Sequence, residues 1–504
     1  MAALNTSPAI RARRNFLWVL LLSFAVRLVF AQWLPVTGDE AYFILWGAHP
    51  AGGYYDHPPM IGWWLAGLQL LGHAPWLMRL PALLVPVIIA LGIVQMLGRH
   101  DAVRAWQAGS LFLLLPFDTV NLFITTDTPV ILFVFLAGWA FYAALHRTRG
   151  GYAASGVALG LGMLSKYLLG VFALTLPVHS LLFARRMRVF AGVLAAAMIA
   201  LALWGWNLWW NYRHCDVNLM FNLVNRLHHY LRPANLAVYA LTLAYLFTPV
   251  LWWVLWRARF MLRGWRNTPE AYWLTALLLP LLIFAVLSVN DPISPFWLAP
   301  YLPFGILLLA RLATPGEWRW ALRFSIMVTL LQALTFAALL AVPLPWLERL
   351  SPGNYAAMVL GSRTQAVWSA VEPSAQGRLL ATRGYTTASM LSYGTGRYFA
   401  VFGKGTRFGR QDDLLTDFRT WNGRNVLIVS TGFEKAGFYA PFFRTVRIHA
   451  VEVAGARFQV VEGDGFKYAA YRKRVLKNIE QRYYRLPSWL PVGDCMFKTR
   501  YASP

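Results

Sequence analysis

The chain contains little charge and almost no cysteine. Charged residues make up 13% of its 504 positions, whereas soluble globular domains carry about 25%. Its two cysteines, Cys215 and Cys495, exclude a scaffold held together by many disulfides. The sequence does not show whether this pair lies within the ~5.5 Å Cα separation of a disulfide. A hydrophobic share of 58% and a mean hydropathy of +0.47 are typical of a polytopic membrane protein.

Acidic residues are also scarce. The chain has 21 acidic and 46 basic residues, which gives a net charge of +25. A soluble protein this basic suggests a nucleic-acid partner. Here the arginines cluster in short connections between apolar runs, where the positive-inside rule explains them, and many of the tryptophans lie near the ends of those runs. We therefore predict membrane lipids, and no nucleic acid, as partners.

Apolar runs long enough to cross a bilayer dominate the first two thirds of the sequence. By the usual length of about 20 residues, about eleven spans are predicted. If the N-terminus is cytoplasmic, alternate connections are basic and the others hold the acids, as the positive-inside rule requires. An odd number of spans then places the C-terminus on the outer side. The predicted spans are 15–34, 79–98, 105–122, 128–146, 152–166, 168–184, 189–208, 237–256, 271–289, 296–311 and 324–342.

The composition changes near residue 342. Of seven lysines, Lys166 alone lies before this point. Residues 1–342 are therefore predicted to form a transmembrane domain, with interfacial helices in its first outer loop at about 35–78. Residues 343–504 are predicted to form a small α/β domain on the outer face. Apolar runs indicate strands at 378–382, 425–429, 446–453 and 458–461, and helices at 412–421 and 468–485.

The acids of the first outer loop are the most informative residues. Asp39 and Glu40 directly follow the first apolar run, and Asp56 comes later in the same loop, followed by His57. Placing acidic side chains at the rim of a membrane costs free energy, which suggests that they serve a function. A carboxylate that faces a groove above the membrane can act as a general base, which makes Asp39 the first catalytic candidate. A solvated loop acid is the alternative explanation.

Two further candidates lie at the outer ends of later helices. Asp127 stands two residues before Pro129, where an ordinary helix start explains it equally well. Lys166 lies on the outer side, against the topological bias. Such a cation suits a lipid-linked phosphate, although it can also snorkel to the interface. Arg226, in another outer loop, can clamp a phosphate or contact lipid headgroups.

No cofactor is clearly required, and a divalent cation is the one that the outer loops suggest. A carboxylate and an imidazole, as in Asp56 and His57, are suitable ligands. Two ligands fall short of a metal site. His228 or His229 in a later outer loop would add one more. Asp56 and His228 are therefore weak candidates for metal ligands.

Four short motifs stand in the order of landmarks in the GT-C glycosyltransferases. They are residues 38–42, 54–59, 126–129 and 162–167. The sequence most resembles the bacterial branch related to protein O-mannosyltransferases and to the lipid A aminoarabinose transferase. The resemblance covers about the first 340 residues and, more loosely, the tail.

This resemblance implies an inverting glycosyltransferase of the bacterial cytoplasmic membrane. A hexosyl or pentosyl group would move from a polyprenyl phosphate to lipid A, another glycolipid or a protein, on the periplasmic side. No glycine-rich nucleotide-binding loop is apparent, as expected when the donor arrives on a lipid. The acid at the Asp39 position would act as base or orient the acceptor, and the acid at the Asp127 position would support the site.

The resemblance also implies a binding role for basic residues at two of these positions. The basic residue at the Lys166 position would lie near the donor phosphate. The aminoarabinose transferase tends to carry Glu-Lys where this chain has Asp56 and His57, so His57 would bind phosphate only when protonated, near or below its reference pKa of ~6.5. The predicted donor-phosphate residues are Lys166, His57 and Arg226, and the predicted substrate residues are Glu40, Tyr42, Tyr55, Asp56 and His228.

Two other classes of protein remain as alternatives. A membrane transporter of a lipid-linked or small substrate is the main one. Transporters usually place ionisable groups near the bilayer midplane, whereas these candidates collect at one rim. The other alternative is an envelope scaffold that binds a partner through its soluble tail.

Overall fold

The computed structural model describes residues 7–146, 148, 150–225, 231–259, 264–265, 268–491 and 493–501. Helices make up most of this part of the chain. Up to residue 341 they are α1 (Pro8–Trp33), α2 (Gly38–Ala48), α3 (Met60–Gln69), α4 (Pro75–Met78), α5 (Leu80–Gly98), α6 (Ala102–Leu113), α7 (Pro116–Val120), α8 (Asp127–His146), α9 (Gly150–Met163), α10 (Leu169–Ala173), α11 (Thr175–Leu182), α12 (Met187–Tyr212), α13 (Val217–Met220), α14 (Ala234–Ala258), α15 (Pro269–Ser288), α16 (Pro295–Leu298), α17 (Leu302–Leu312) and α18 (Pro315–Ala341).

The remaining helices are short and alternate with strands. They are α19 (Leu344–Leu350), α20 (Tyr355–Ser362), α21 (Thr364–Val371), α22 (Tyr385–Thr395), α23 (Asp412–Leu415), α24 (Ala436–Tyr439), α25 (Tyr468–Tyr471), α26 (Lys477–Tyr483) and α27 (Met496–Tyr501). The strands are β1 (Leu379–Thr382), β2 (Ala400–Val401), β3 (Val426–Ser430), β4 (Thr445–Val453) and β5 (Ala456–Asp464).

Eight helical segments within the described ranges are long and apolar enough to cross a bilayer. They are α1, α5, α8, α12, α14, α15, the segment Pro295–Leu312 and α18. The chain is thus a multi-pass membrane protein, and the predicted class of a helical membrane protein with an α/β tail is confirmed. The predicted first-loop helices are present as α2 and α3.

Three of the eleven predicted spans form helices shorter than a bilayer crossing needs. The run at 105–122 is divided between α6 and α7, because Pro116 starts a new helix. The runs at 152–166 and 168–184 form α9, with 14 residues, and the pair α10 and α11. A helix of 14 residues is about 21 Å long, which is less than the ~30 Å hydrocarbon core. The orientation deduced from eleven crossings therefore stays a prediction.

The chain folds as two compact units. The membrane unit comprises Met1–Trp33, His73–Gly205 and His228–Leu339. The sheet unit comprises Leu34–Gly72, Trp206–Leu227 and Leu340–Pro504. The change in composition near residue 342 coincides with the start of the last stretch. The predicted transmembrane domain, residues 1–342, also included residues 34–72 and 206–227, which are part of the sheet unit.

The sheet unit is built around a mixed five-stranded sheet. The strand order is β2-β1-β3-β5-β4, with β1 parallel to β2 and β3, and β5 antiparallel to β3 and β4. All five residues of β3 are buried. Its alternate side chains enter two separate cores, with Val426 and Ile428 in one and Leu427 and Val429 in the other. The predicted strands at 378–382 and 425–429 and the late hairpin are confirmed.

One of these cores explains why distant segments join the sheet unit. Tyr55 and Trp210 lie in the same apolar cluster as Ile428 of β3 and Tyr471 of α25. Each of these residues is less than a tenth exposed. Burial of large apolar side chains stabilises such a cluster by about 1.5–3 kcal/mol per side chain. The first outer loop and the 206–227 segment are therefore integral parts of the core beneath the sheet.

A disulfide between Cys215 and Cys495 closes the sheet unit. The two residues are 280 positions apart in sequence, and their Cα atoms are 4.2 Å apart. The Cys215 backbone N–H also donates to the Asp494 carbonyl at 3.0 Å. The sequence left this pairing open, since separation along the chain says nothing about distance in space.

Reduction of this bridge is expected to destabilise the sheet unit by about 2–5 kcal/mol, because the unfolded chain regains the entropy that the cross-link removes. Thermal unfolding with and without dithiothreitol measures the effect. The Cys215→Ser/Cys495→Ser double variant is the control and should not respond to the reductant. An unchanged unfolding temperature for the reduced wild type would contradict a stabilising role for the bridge.

Candidate active site

Asp39 lies in the first turn of α2, and the local sequence explains why the helix begins there. The Thr37 side chain accepts a hydrogen bond from the Glu40 backbone N–H at 3.2 Å, while Glu40 Oε2 accepts from the Thr37 N–H at 3.0 Å. This reciprocal capping box satisfies two N–H groups at the helix start. The carboxylate of Asp39 is exposed. It also gains from the helix dipole, which favours negative charge at this end.

Glu40 has a structural explanation that the sequence did not supply. Its side chain closes the capping box, and the residue is only 1% exposed. A buried capping acid fixes where α2 starts and therefore where Asp39 stands. Contact between Glu40 and a substrate stays a prediction.

Tyr385 is the direct partner of Asp39. The Tyr385 hydroxyl donates to Asp39 Oδ1 at 3.0 Å across 346 residues of sequence. Tyr385 is the first residue of α22, directly after β1. The close approach of α22 and α2 depends on Gly38, since a Cβ there would lie 2.8 Å from Thr386 Cβ. Sequence reasoning did not find Tyr385.

Asp56 is buried at the centre of a second set of hydrogen bonds. The Tyr42 hydroxyl donates to its Oδ2 at 2.7 Å, and the Gly409 N–H donates to its Oδ1 at 3.2 Å. The same Tyr42 oxygen accepts from the Gln411 N–H at 3.1 Å. Tyr42 and Asp56, both predicted as substrate residues, therefore meet each other and the loop that follows β2.

Burial raises the pKa of Asp56 to about 7, and the negative charge of Asp39 adds to the shift. The hydrogen bonds from Tyr42 and Gly409 act in the opposite direction and lower this pKa. Since an acid in the unfolded chain titrates near 3.9, the folded protein holds this proton more tightly. Stability from Asp56 is therefore greatest at low pH and is lost as the pH rises from about 4 to about 7.

This linkage predicts the behaviour of Asp56→Asn, which cannot titrate. Relative to wild type, the unfolding temperature of the variant should rise between about pH 5 and pH 7.5. Asp417→Asn is a suitable control, because Arg419 lowers the pKa of Asp417 and this group stays ionised over that window. If the unfolding temperatures of Asp56→Asn and wild type differ by the same amount at both pH values, Asp56 does not titrate in this range.

A buried ion pair holds the loop that contacts Asp56. Arg410 Nε donates to Asp413 Oδ2 at 2.8 Å, and both side chains are 4% exposed. Arg410 Nη1 also donates to the carbonyls of Lys404 and Thr406, at 2.8 Å and 2.9 Å. The guanidinium thus fixes both ends of a glycine-containing loop in one position. The backbone groups of Gly409 and Gln411 are consequently preorganised for Asp56 and Tyr42.

Tyr55 and His57 flank Asp56 in the sheet unit. The Tyr55 N–H donates to Gln411 Oε1 at 2.9 Å, and Tyr55 is fully buried. The His57 ring packs 6.2 Å from the Trp46 ring and 6.4 Å from that of Phe221. These contacts give Tyr55 and His57 a packing role, and their predicted binding roles stay predictions.

Asp127 and Lys166 meet in the membrane unit. Lys166 Nζ donates to both carboxylate oxygens of Asp127 at 2.8 Å, and each residue is 6% exposed. The ammonium group also lies 5.5 Å from the centre of the Trp297 ring. Asp127 starts α8, and Lys166 follows α9. Two residues predicted for the site from separate motifs are therefore in direct contact.

Other predicted residues and the metal hypothesis have different outcomes. Arg226 and His228 lie outside the described residues. Within the part of the chain that the structure describes, no group of three His, Cys, Asp or Glu side chains is arranged to hold a metal ion. Asp56 uses its two carboxyl oxygens on Tyr42 and Gly409.

The residues that sequence reasoning missed share one position in the fold. Tyr385 follows β1, and Gly409 and Gln411 follow β2, which is parallel to β1. The carboxyl ends of parallel strands lie at the same edge of a sheet, where binding groups commonly collect. The polar residues that follow the predicted strand at 378–382 were the feature of the sequence that could have indicated binding groups at this edge.

Sequence similarity links the chain to known glycosyltransferases. Residues 56–210 match the family model described as dolichyl-phosphate-mannose-protein mannosyltransferase. Over 188 residues the chain is 30% identical to the lipid A galacturonosyltransferase RgtD of Rhizobium johnstonii. That match spans 35% of this chain and 38% of RgtD, so it covers less than half of the curated relative.

Solved structures extend the likeness to nearly the whole fold. ArnT from Cupriavidus metallidurans, in the apo state and bound to undecaprenyl phosphate, matches 88% of this chain and 97% of its own. The TM-score is 0.60 at 18% sequence identity in both cases. The chain has the ArnT fold. The GT-C architecture and the resemblance to mannosyltransferases and lipid A transferases, which the four motifs predicted, are confirmed.

Proposed function

We propose that this protein is an inverting glycosyltransferase that uses a polyprenyl-phosphate sugar. The acceptor is an envelope molecule with a free hydroxyl, and lipid A is the first to test. The exposed Asp39 carboxylate, held by Tyr385 at the start of α2, is the observation that carries the proposal. Two relatives support the proposal. RgtD is named as a lipid A galacturonosyltransferase, and ArnT, which has the same fold, was solved with undecaprenyl phosphate bound.

Asp39 is the proposed general base. One carboxylate oxygen accepts the proton of the acceptor hydroxyl as that oxygen attacks the anomeric carbon of the donor sugar. The bond between the anomeric carbon and the phosphate oxygen breaks, and polyprenyl phosphate leaves with the bonding electrons. A single displacement of this kind inverts the anomeric configuration. Exposure of Asp39 gives an acceptor access to the carboxylate.

Lys166 is the proposed cation for the donor phosphate. As the glycosidic bond breaks, negative charge grows on the leaving phosphate, and a fixed cation stabilises it. Asp127 and the face of Trp297 hold the ammonium group in place. The role of Asp127 is therefore to position Lys166, which is a narrower role than direct participation in proton transfer.

The proposal places the sheet unit on the periplasmic side of the bacterial cytoplasmic membrane. Two observations support this orientation. The disulfide between Cys215 and Cys495 is of a kind that persists in oxidising compartments and is rare in the cytosol. The arginines collect in alternate connections, as expected for cytoplasmic loops.

The relatives favour transfer over transport. RgtD is named as a transferase and the matching family as a mannosyltransferase. In addition, the exposed carboxylate lies at a helix start in the outer loop, whereas transport sites usually lie near the bilayer midplane.

Reconstitution with defined lipids tests the proposed function. Purified full-length protein in proteoliposomes receives lipid A with undecaprenyl-phosphate galacturonic acid, and mass spectrometry detects added sugar. Undecaprenyl phosphates of aminoarabinose, mannose and glucose are assayed in parallel. We expect transfer from one donor with loss of polyprenyl phosphate-bound sugar. Donor that crosses the bilayer without any transfer would instead support a transporter.

A further inference from the structure

Tyr385 connects the sheet of the C-terminal region to the proposed base. Its hydroxyl donates to Asp39 Oδ1 at 3.0 Å. Among the described residues, no hydrogen bond uses Asp39 Oδ2. One oxygen of this exposed carboxylate is therefore bound to Tyr385, and the other makes no hydrogen bond within the described part of the protein.

The ring of Tyr385 has little freedom to move. Gly409 packs directly against it, since a Cβ at that position would lie 2.0 Å from Tyr385 Cγ. The Tyr42 ring meets it edge-on, with centroids 5.1 Å apart and planes at 66°. Gly409 has φ +66°, a conformation that side chains other than glycine rarely adopt. Both neighbours are themselves bonded to Asp56, so the hydroxyl of Tyr385 is aimed by a rigid set of groups.

Tyr385 also remains a donor at every working pH. Burial and the nearby charges of Asp39 and Asp56 raise its pKa above the ordinary value of 10. A neutral phenol has one O–H to donate and keeps it. The phenol therefore keeps the proton that it donates to Asp39 Oδ1, and this hydrogen bond restrains rotation of the carboxylate about its Cβ–Cγ bond.

We propose that Tyr385 is a positioning residue, which fixes the Asp39 carboxylate so that Oδ2 faces the acceptor hydroxyl. This inference rests on the proposed function. It makes the C-terminal α/β region a part of the catalytic machinery, because the first residue of its helix α22 touches the base. Preorganisation of this kind contributes to rate, since the base is held in the reactive geometry before the acceptor arrives.

Tyr385→Phe removes the hydroxyl and keeps the ring. We expect kcat to fall about 10- to 100-fold, because the Asp39 carboxylate is no longer held in the reactive geometry. KM for the polyprenyl-phosphate donor and the unfolding temperature should stay unchanged. Tyr439→Phe is the matched control: it removes a buried hydroxyl that donates to Gln459 at 3.3 Å in the same unit, and its kcat should equal that of wild type.

A double-variant cycle makes the test specific. In the Asp39→Asn background, Tyr385→Phe should have almost no further effect on kcat, because the two residues act as one unit. Equal losses in both backgrounds would overturn the proposal, as would wild-type kcat in Tyr385→Phe. If the wild type transfers sugar but Tyr385→Phe does not show these effects on kcat, the proposed function stands and only the role of Tyr385 is wrong. If no transfer occurs in the wild type, the proposed function itself fails.

Discussion

Asp39→Asn should lower kcat by about 10²- to 10⁴-fold, the usual contribution of a general base. Asparagine has the shape of aspartate and still accepts a hydrogen bond from Tyr385, but its amide cannot take the proton of the acceptor hydroxyl. Because Asp39 is exposed at a helix start, the substitution should change the unfolding temperature little. Steady-state rates of sugar transfer and a thermal unfolding curve measure the two effects.

Asp417→Asn is the matched control for this experiment. Asp417 is an acid in the same unit that precedes the short 3₁₀-helix Phe418–Trp421, and its side chain caps that helix by accepting a hydrogen bond from the Arg419 N–H. Its replacement removes one negative charge from the sheet unit and should leave transfer at the wild-type rate. Retention of full activity in Asp39→Asn would exclude Asp39 as the base and leave the proposed mechanism without a proton acceptor.

Lys166→Ala should abolish detectable use of the donor and also destabilise the membrane unit. The substitution leaves the Asp127 carboxylate buried without its cation, which typically costs about 3–5 kcal/mol. It also removes the charge proposed to stabilise the leaving phosphate. The measurements are binding of undecaprenyl phosphate, the rate of transfer and the unfolding temperature.

The stability effect and the catalytic effect of Lys166 can be separated. In Lys166→Ala/Asp127→Asn no charge is left unpaired, so much of the lost stability should return while transfer stays absent. Lys166→Arg keeps a cation and should retain part of the donor binding. Recovery of transfer in the double variant would show that Lys166 serves only to neutralise Asp127, and the donor-phosphate role would be wrong.

Elements with strong local signals were predictable from the sequence. The strand at 426–430 is a short apolar run whose residues are all buried, and the long apolar helices follow from the length of a bilayer crossing. The division of the run at 105–122 was also encoded, since Pro116 starts a new helix there. A length criterion alone did not weigh the proline.

Contacts between distant residues were only partly predictable. The order of the motifs predicted Asp127 and Lys166 for the same site, and the two residues form a buried ion pair. By contrast, Tyr385 is 346 residues from Asp39, and β2, which carries the Gly409 loop, has two residues. Such a short strand has no periodicity to detect. Only the register of the parallel strands shows that these groups share an edge.

The three separate stretches of the sheet unit impose an order on biosynthesis. A ribosome releases 34–72 and 206–227 long before residues 340–504 exist, and the core that holds Tyr55 and Trp210 requires all three. Until residues 340–504 have been made, the apolar surface of the two earlier stretches stays uncovered and is vulnerable to proteases and aggregation. The disulfide between Cys215 and Cys495 joins the second of these stretches to the third, so it can form only after residue 495 has been made. A truncated nascent chain, even one with every membrane helix in place, would lack the partner that completes this half of the protein.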